Sequence, residues 1–228
     1  MLLSFPNWLI HLSSSLEWGV ALVMLYRYGQ LINRKDIRFF SLMMLPHWTG
    51  SWFVLGYHLS GDSIPLLLDL SETVNLAGSI SLLYATARIL KPAAANHSTL
   101  PGLAIGIVMV SGRPQSYMGN DIFDLILQIS SIVYLSFLVQ LIRVRKKDPT
   151  VFSALTIFGF WFVLVFILVT VFCIYLSTEI RGFRTLSHDD LLHGFAESLL
   201  SMSNLMIVVG IHRQTKRFAP STGKAVRG

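Results

Sequence analysis

The sequence predicts an all-α integral membrane protein. Six transmembrane helices form two tandem three-helix repeats, and the connector between them leaves room for a short seventh crossing. Three observations carry this reading: the composition, the placement of charge, and an internal repeat. Hydrophobic residues make up 53% of the chain and charged residues only 13%. A soluble surface takes about a quarter of its residues charged. The excess apolar surface must therefore meet something other than water, and lipid is the simple candidate.

Charge is also unevenly placed. Of 18 Lys and Arg, 13 fall in three short segments, Arg27 to Arg38, Arg143 to Lys147 and Arg213 to Arg227. Long apolar stretches separate them. The net charge of +6 thus reads as short basic loops on the cytoplasmic side of a membrane, and not as a nucleic-acid surface. The basic tail also suits anionic lipid headgroups. A lone Cys173 excludes an intrachain disulfide and a cysteine-based metal cluster.

A span needs about 20 apolar residues. The first runs from Trp8 to Tyr26; no charged segment or small-residue cleavage site precedes it, so it is expected to stay in the chain. The second runs from Phe39 to Tyr57, with Pro46 and Gly50 inside it, and the third from Ile64 to Leu83. The fourth covers Ile122 to Ile142, the fifth Val151 to Leu176, and the sixth Leu191 to Ile211. Aromatic residues collect at their ends (Trp8, Tyr26, Tyr57, Tyr84, Tyr175), as interfacial belts do. The expected organisation is a first membrane unit over residues 1–91, a connector rich in Ala, Gly and Pro over 92–120, a second membrane unit over 121–212 and a basic tail over 213–228.

The repeat appears when the first helix is laid over the fourth. Leu9-Ile10-His11-Leu12-Ser13-Ser14 matches Ile126-Leu127-Gln128-Ile129-Ser130-Ser131. Each helix then runs into a basic loop, Asn33-Arg34-Lys35-Asp36 or Arg145-Lys146-Lys147-Asp148. The third and sixth helices each carry Glu and then Asn-Leu. Three is an odd number, so direct fusion would invert the second copy, as in many transporters. The basic loop follows the first helix in both copies, however, which asks for the same orientation. The connector must then cross back, and Ala93 to Val110 is the segment for it.

Ionisable groups within a bilayer are costly and face the bundle interior. On the sixth helix His193, Glu197, Ser201 and Asn204 fall within about 80° of arc and form one polar stripe. On the third helix Asp69, Glu72, Asn75 and Ser79 lie within about 120°, and the two stripes are expected to meet. The first helix carries His11 and Glu17; Glu17 needs a partner such as His58 or Asn75. The second carries His47 and His58. Neutral imidazole ligates haem iron or chlorophyll magnesium. There is no CxxCH and no pair of helices with a clear bis-histidine arrangement, so no metal site is assigned. The plainer role for all these groups is a polar seam that glues the helices. P-loop, GxGxxG and HExxH motifs are absent.

The opening Asn7-Trp8-Leu9-Ile10-His11-Leu12-Ser13-Ser14-Ser15-Leu16-Glu17-Trp18, followed by Tyr26-Arg27-Tyr28-Gly29, resembles an uncharacterised three-helix membrane family of cyanobacteria and plastids. That family's later Trp-His is matched only in part, by Tyr57-His58, and His47 matches nothing in it. Leu192-His193-Gly194-Phe195-Ala196-Glu197-Ser198 with Ser203-Asn204-Leu205 resembles a second uncharacterised family of the same range. The resemblance implies a setting more than a reaction. It points to a thylakoid membrane and to an accessory subunit, or an assembly or pigment-handling factor, of the photosynthetic apparatus. Photosystem or other thylakoid subunits would be its partners, and chlorophyll, carotenoid or haem its candidate cofactors. The alternative is a membrane enzyme or carrier for a carotenoid, quinone or lipid, working through intramembrane His, Glu and Asn.

Overall fold

The computed structural model describes residues 3–90 and 120–218. Among these residues the chain is entirely helical: α1 Phe5–Leu31, α2 Lys35–Leu42, α3 Leu45–Leu59, α4 Pro65–Leu90, α5 Asn120–Lys147, α6 Ala154–Tyr175 and α7 Asp190–Phe218. Five of them, α1 and α4 to α7, are long and apolar enough to cross a membrane. A 27-residue helix such as α1 is about 40 Å long, more than the roughly 30 Å hydrocarbon layer. Large apolar side chains face outward along them, Leu168, Phe172 and Leu191 among the most exposed. Nothing in water would stabilise such a surface, whereas acyl chains would.

The second expected span differs from its prediction. Residues Phe39 to Tyr57 are not one helix: the chain breaks at Met43 and Met44, between α2 and α3. Pro46 is the cause. It stands in the first turn of α3, where its missing N–H is harmless, and its ring obstructs a helix arriving from the N-terminal side. Elsewhere the ends follow ordinary capping. Pro6 opens α1, and the Ser153 hydroxyl accepts from the Thr156 backbone N–H at 3.0 Å to start α6.

Side-chain bonds give the helix directions. Lys147 Nζ at the end of α5 donates to the Leu90 carbonyl at the end of α4, 2.6 Å away. Arg34, after α1, pairs with Asp148, after α5, at 2.7 Å. Tyr28 on α1 donates to the Thr150 carbonyl, and Gln214 near the end of α7 bonds the Tyr28 hydroxyl at 3.1 Å. So α1, α4, α5 and α7 all finish at one end, where Lys and Arg collect, while α2–α3 and α6 return from it. α4 thus ends at the basic end, and α5 begins at the opposite one. The expected crossing at Ala93 to Val110 lies outside the described residues.

The two halves of the bundle differ in content. Towards the basic end lies an apolar core centred on Phe40, Phe137 and Phe160, whose rings pack edge-to-face and stacked. Towards the other end, polar side chains of α1, α3 and α7 replace it.

Candidate functional site

α1 and α7 run parallel and meet along a polar seam. Asn7 Nδ2 donates to the Asp190 carboxylate at 2.7 Å. Below it His11 Nε2 and His193 Nε2 share a hydrogen bond at 2.8 Å. Asn204 Nδ2 donates to the Ser14 carbonyl and hydroxyl, both at 3.0 Å. The Ser201 hydroxyl lies 2.9 and 3.0 Å from the Glu17 carboxyl oxygens. Close approach of the two backbones is a packing requirement here: a Cβ on Gly194 would lie 1.9 Å from Asn7 Oδ1. A glycine at this point lets the histidines of both helices touch.

The end of α3 supplies the third imidazole. His58 is buried, and its ring centroid lies 4.9 Å from that of His11 and 5.2 Å from that of His193. Just after α3, Gly61 (φ +68°) and Asp62 (φ +59°) take left-handed conformations. Glycine adopts this freely, and aspartate better than most other residues. The turn folds Asp62 back so that its Oδ1 meets His58 Nδ1 at 2.9 Å. Burial raises the Asp62 pKa, but the His58 hydrogen bond and charge outweigh it and hold this carboxyl below its ordinary value. On the far side, Glu197 Oε2 lies 3.7 Å from His11 Nδ1. His193 Nδ1 is buried with no hydrogen-bond partner among the described residues.

His11, His58 and His193 thus form one buried cluster, in which a nitrogen of each lies within 4.8 Å of the others. Chemically the cluster can share protons between rings, and it presents three nitrogen donors to one point. The sequence reading held all three residues as candidates but found no bis-histidine pair and assigned no metal ligands; the structure brings the rings together. Helical spacing within single helices could not show this, because the pairing crosses helices about 180 residues apart in sequence.

Other expectations are redistributed. Glu17 is partnered by Ser201, not by His58 or Asn75. The α7 stripe of His193, Glu197, Ser201 and Asn204 meets α1 and not the α4 stripe. Asn75 on α4 lies instead against Gly50 of α3 and bonds Ser71 Oγ at 3.4 Å, while Ser71 donates to the Gly50 carbonyl at 3.1 Å. Glu72 is half-buried on the same helix. His47 packs at Gly78, near Ser79 Oγ at 3.4 Å, far along α3 from His58. Asn7, Asp62 and Asp190 were not anticipated. The i,i+4 spacing of His58 and Asp62 across Gly61 was the readable signal for one of them.

Comparison with known proteins gives two matches in tandem. Residues 2–88 match the family described as protein of unknown function DUF2499. Residues 123–216 match the family described as protein of unknown function DUF3593. The Ycf49-like protein of the cyanobacterium Synechocystis sp. is 28% identical over 85 residues, which cover 36% of this chain and 82% of that protein. No solved structure matches. The chain therefore combines similarity to two uncharacterised families with a cyanobacterial relative.

Proposed function

We propose that this protein is a polytopic accessory or assembly factor of a thylakoid-type photosynthetic membrane in a cyanobacterium or plastid. The polar seam of α1, α3 and α7 is its working part. The cyanobacterial relative supports the setting. The observation that carries the reading of the seam is the contact of His11 with His193 at 2.8 Å, inside a cluster buried from lipid. Intramembrane ionisable groups are expensive and mark function more often than packing alone demands.

In this reading the chain is two same-orientation units, residues 1–91 and 121–212, linked by a crossing connector over 92–120 and ending in a basic tail over 213–228. The shared basic end, tied by Arg34 and Asp148, faces the cytoplasm or stroma, and the histidine end faces the opposite compartment. The three imidazoles stand in mutual contact, whereas the axial ligands of a haem or chlorophyll need the macrocycle against them. In this reading the three rings are not axial ligands of a pigment.

The test is purification of the tagged full chain from native membranes in mild detergent. Co-migration with a photosystem or other thylakoid complex, lost in His193→Ala with chain abundance unchanged, is the expected result. A chain that runs alone, with no photosynthetic subunit, overturns it. A second reading, an enzyme or carrier for a carotenoid, quinone or lipid, is favoured by one observation: the Glu17 carboxyl is held by Ser201 inside the α1–α7 seam. Altered pigment and lipid profiles in Glu17→Gln membranes would select it.

A further inference from the structure

We propose that His11, His58 and His193 form a mononuclear site for a divalent first-row transition ion, with Zn²⁺ as the reference case, Asp62 orienting His58 and Glu197 facing His11. The inference concerns the ion chemistry of the cluster and stands whether or not the chain attends a photosynthetic complex.

Donor type comes first. Three neutral imidazoles suit Zn²⁺, Cu²⁺, Fe²⁺, Co²⁺ or Ni²⁺, while Mg²⁺ and Ca²⁺ select oxygen ligands. The surroundings match a metal site as well. Metal-bound histidines are held by a carboxylate or carbonyl on their other nitrogen. Asp62 Oδ1 does this for His58, at 2.9 Å from Nδ1, and so leaves Nε2 for a ligand. Nδ1 of His11 faces Glu197 Oε2 at 3.7 Å.

Spacing comes next. Three nitrogens about 2.05 Å from a tetrahedral ion stand about 3.3 Å apart. Here the closest pair is at 2.8 Å and the three donors lie within 4.8 Å. The ligated spacing lies between these two values. The short His11–His193 contact needs one ring to carry a proton on Nε2. An ion displaces that proton, which moves within the same imidazole to Nδ1. On His11 that nitrogen faces Glu197; on His193 it faces no acceptor among the described residues. Whichever ring donates in the His11–His193 bond is the one that changes tautomer, and no proton leaves the protein.

A divalent ion buried in the bundle is unfavourable without negative neighbours. The carboxyl groups of Asp62 and Glu197 stand beside the cluster, 2.9 Å from His58 Nδ1 and 3.7 Å from His11 Nδ1. Three protein ligands leave a fourth position for water or a substrate atom.

The experiment uses the full chain with a tag free of histidine, stripped with a chelator in detergent and titrated with Co²⁺, then Zn²⁺. The expected result is saturable uptake of about one ion per chain with the intense visible bands of tetrahedral Co²⁺, displaced by Zn²⁺. Asp62→Asn should weaken binding about 10- to 100-fold, as outer carboxylates do, and His11→Ala should abolish the tetrahedral spectrum. Two outcomes overturn the proposal: no saturable binding by the wild-type chain, or a weak octahedral spectrum unchanged in His11→Ala. The wild-type spectrum is decisive alone if an alanine variant fails to fold, and His58→Gln then serves as the milder ligand variant. Metal binding can hold while complex association fails, and the reverse, so the two readings are tested apart.

Discussion

Arg34 Nη1 donates to Asp148 Oδ2 at 2.7 Å and so ties the loop after α1 to the loop after α5. Asp36 completes the group, taking two further bonds from the same guanidinium. The Arg34 hydrogen bonds hold the Asp36 carboxyl below its ordinary value. For Asp148, burial acts upward, but the bonds from Arg34 and Thr150 prevail and its pKa is also lowered. As the pH falls, the unfolded chain takes up these protons before the folded one. The stabilisation is thus present above about pH 4 and is lost progressively below it. Both partners are about 30% exposed, so the pair contributes about 0.5 kcal/mol. Thermal melting in detergent should be flat from about pH 7 to 5 and decline below 4, with a shallower decline in Arg34→Met. An identical acid decline in both chains would remove this trio from the account.

The same contact makes a topological prediction. Lys35 and Lys146 are exposed at the basic end, and Ser63 is exposed at the histidine end. In sealed vesicles, cysteines at 35 and 146 should react from one side with a membrane-impermeant thiol reagent, and a cysteine at 63 from the other. The native Cys173 is buried, which keeps the background low. Labelling of 35 and 146 from opposite sides would refute the common orientation of the two basic loops.

Much of this architecture could be read from residue order. Basic loops at Arg34 and Arg145 announced which helix ends belong together, because lipid penalises charge wherever it is not at an end. The candidates His11, His58, His193, Glu197 and Asn204 were visible as polar residues in apolar runs. Their partners were not visible. His11 and His193 meet because Gly194 lets α1 and α7 approach, and a small residue in a helix does not say which neighbour it admits. The expected contact between the α4 and α7 stripes failed for a related reason: Gly50 draws Asn75 towards α3. The break at Met43 was also foreshadowed by Pro46, yet an apolar run of suitable length was read as continuous.

Gly194 is accordingly a sensitive position. A methyl group there would lie 1.9 Å from Asn7 Oδ1, and Asn7 is held in place by Asp190 at 2.7 Å. Gly194→Ala must push α1 from α7 or expel the Asn7 side chain. Overpacking of this kind costs about 1–3 kcal/mol. The melting temperature should fall by several degrees, and Asn7→Ala in the same chain should restore part of it. A neutral Gly194→Ala variant would mean that the helices are not in close contact.

Glu17 and Ser201 offer a test of the seam's energetics. Both Glu17 carboxyl oxygens lie within 3.0 Å of the Ser201 hydroxyl, across the α1–α7 contact. One hydroxyl donates one proton, so the two distances describe a shared bond, not two. Ser201→Ala leaves the half-buried carboxyl without this donor, which costs about 1 kcal/mol, the low end for a deprived acceptor. Glu17→Leu removes the polar group altogether and relieves that cost at the price of the bond. The double variant should therefore be more stable than the sum of the single losses predicts, with a coupling of about 0.5–2 kcal/mol, since interhelical bonds in membranes are modest. Melting of the four chains in one detergent measures it. Additive losses would show that the two side chains do not interact, and the seam would then rest on its other contacts, Asn7–Asp190, His11–His193 and Ser14–Asn204 among them.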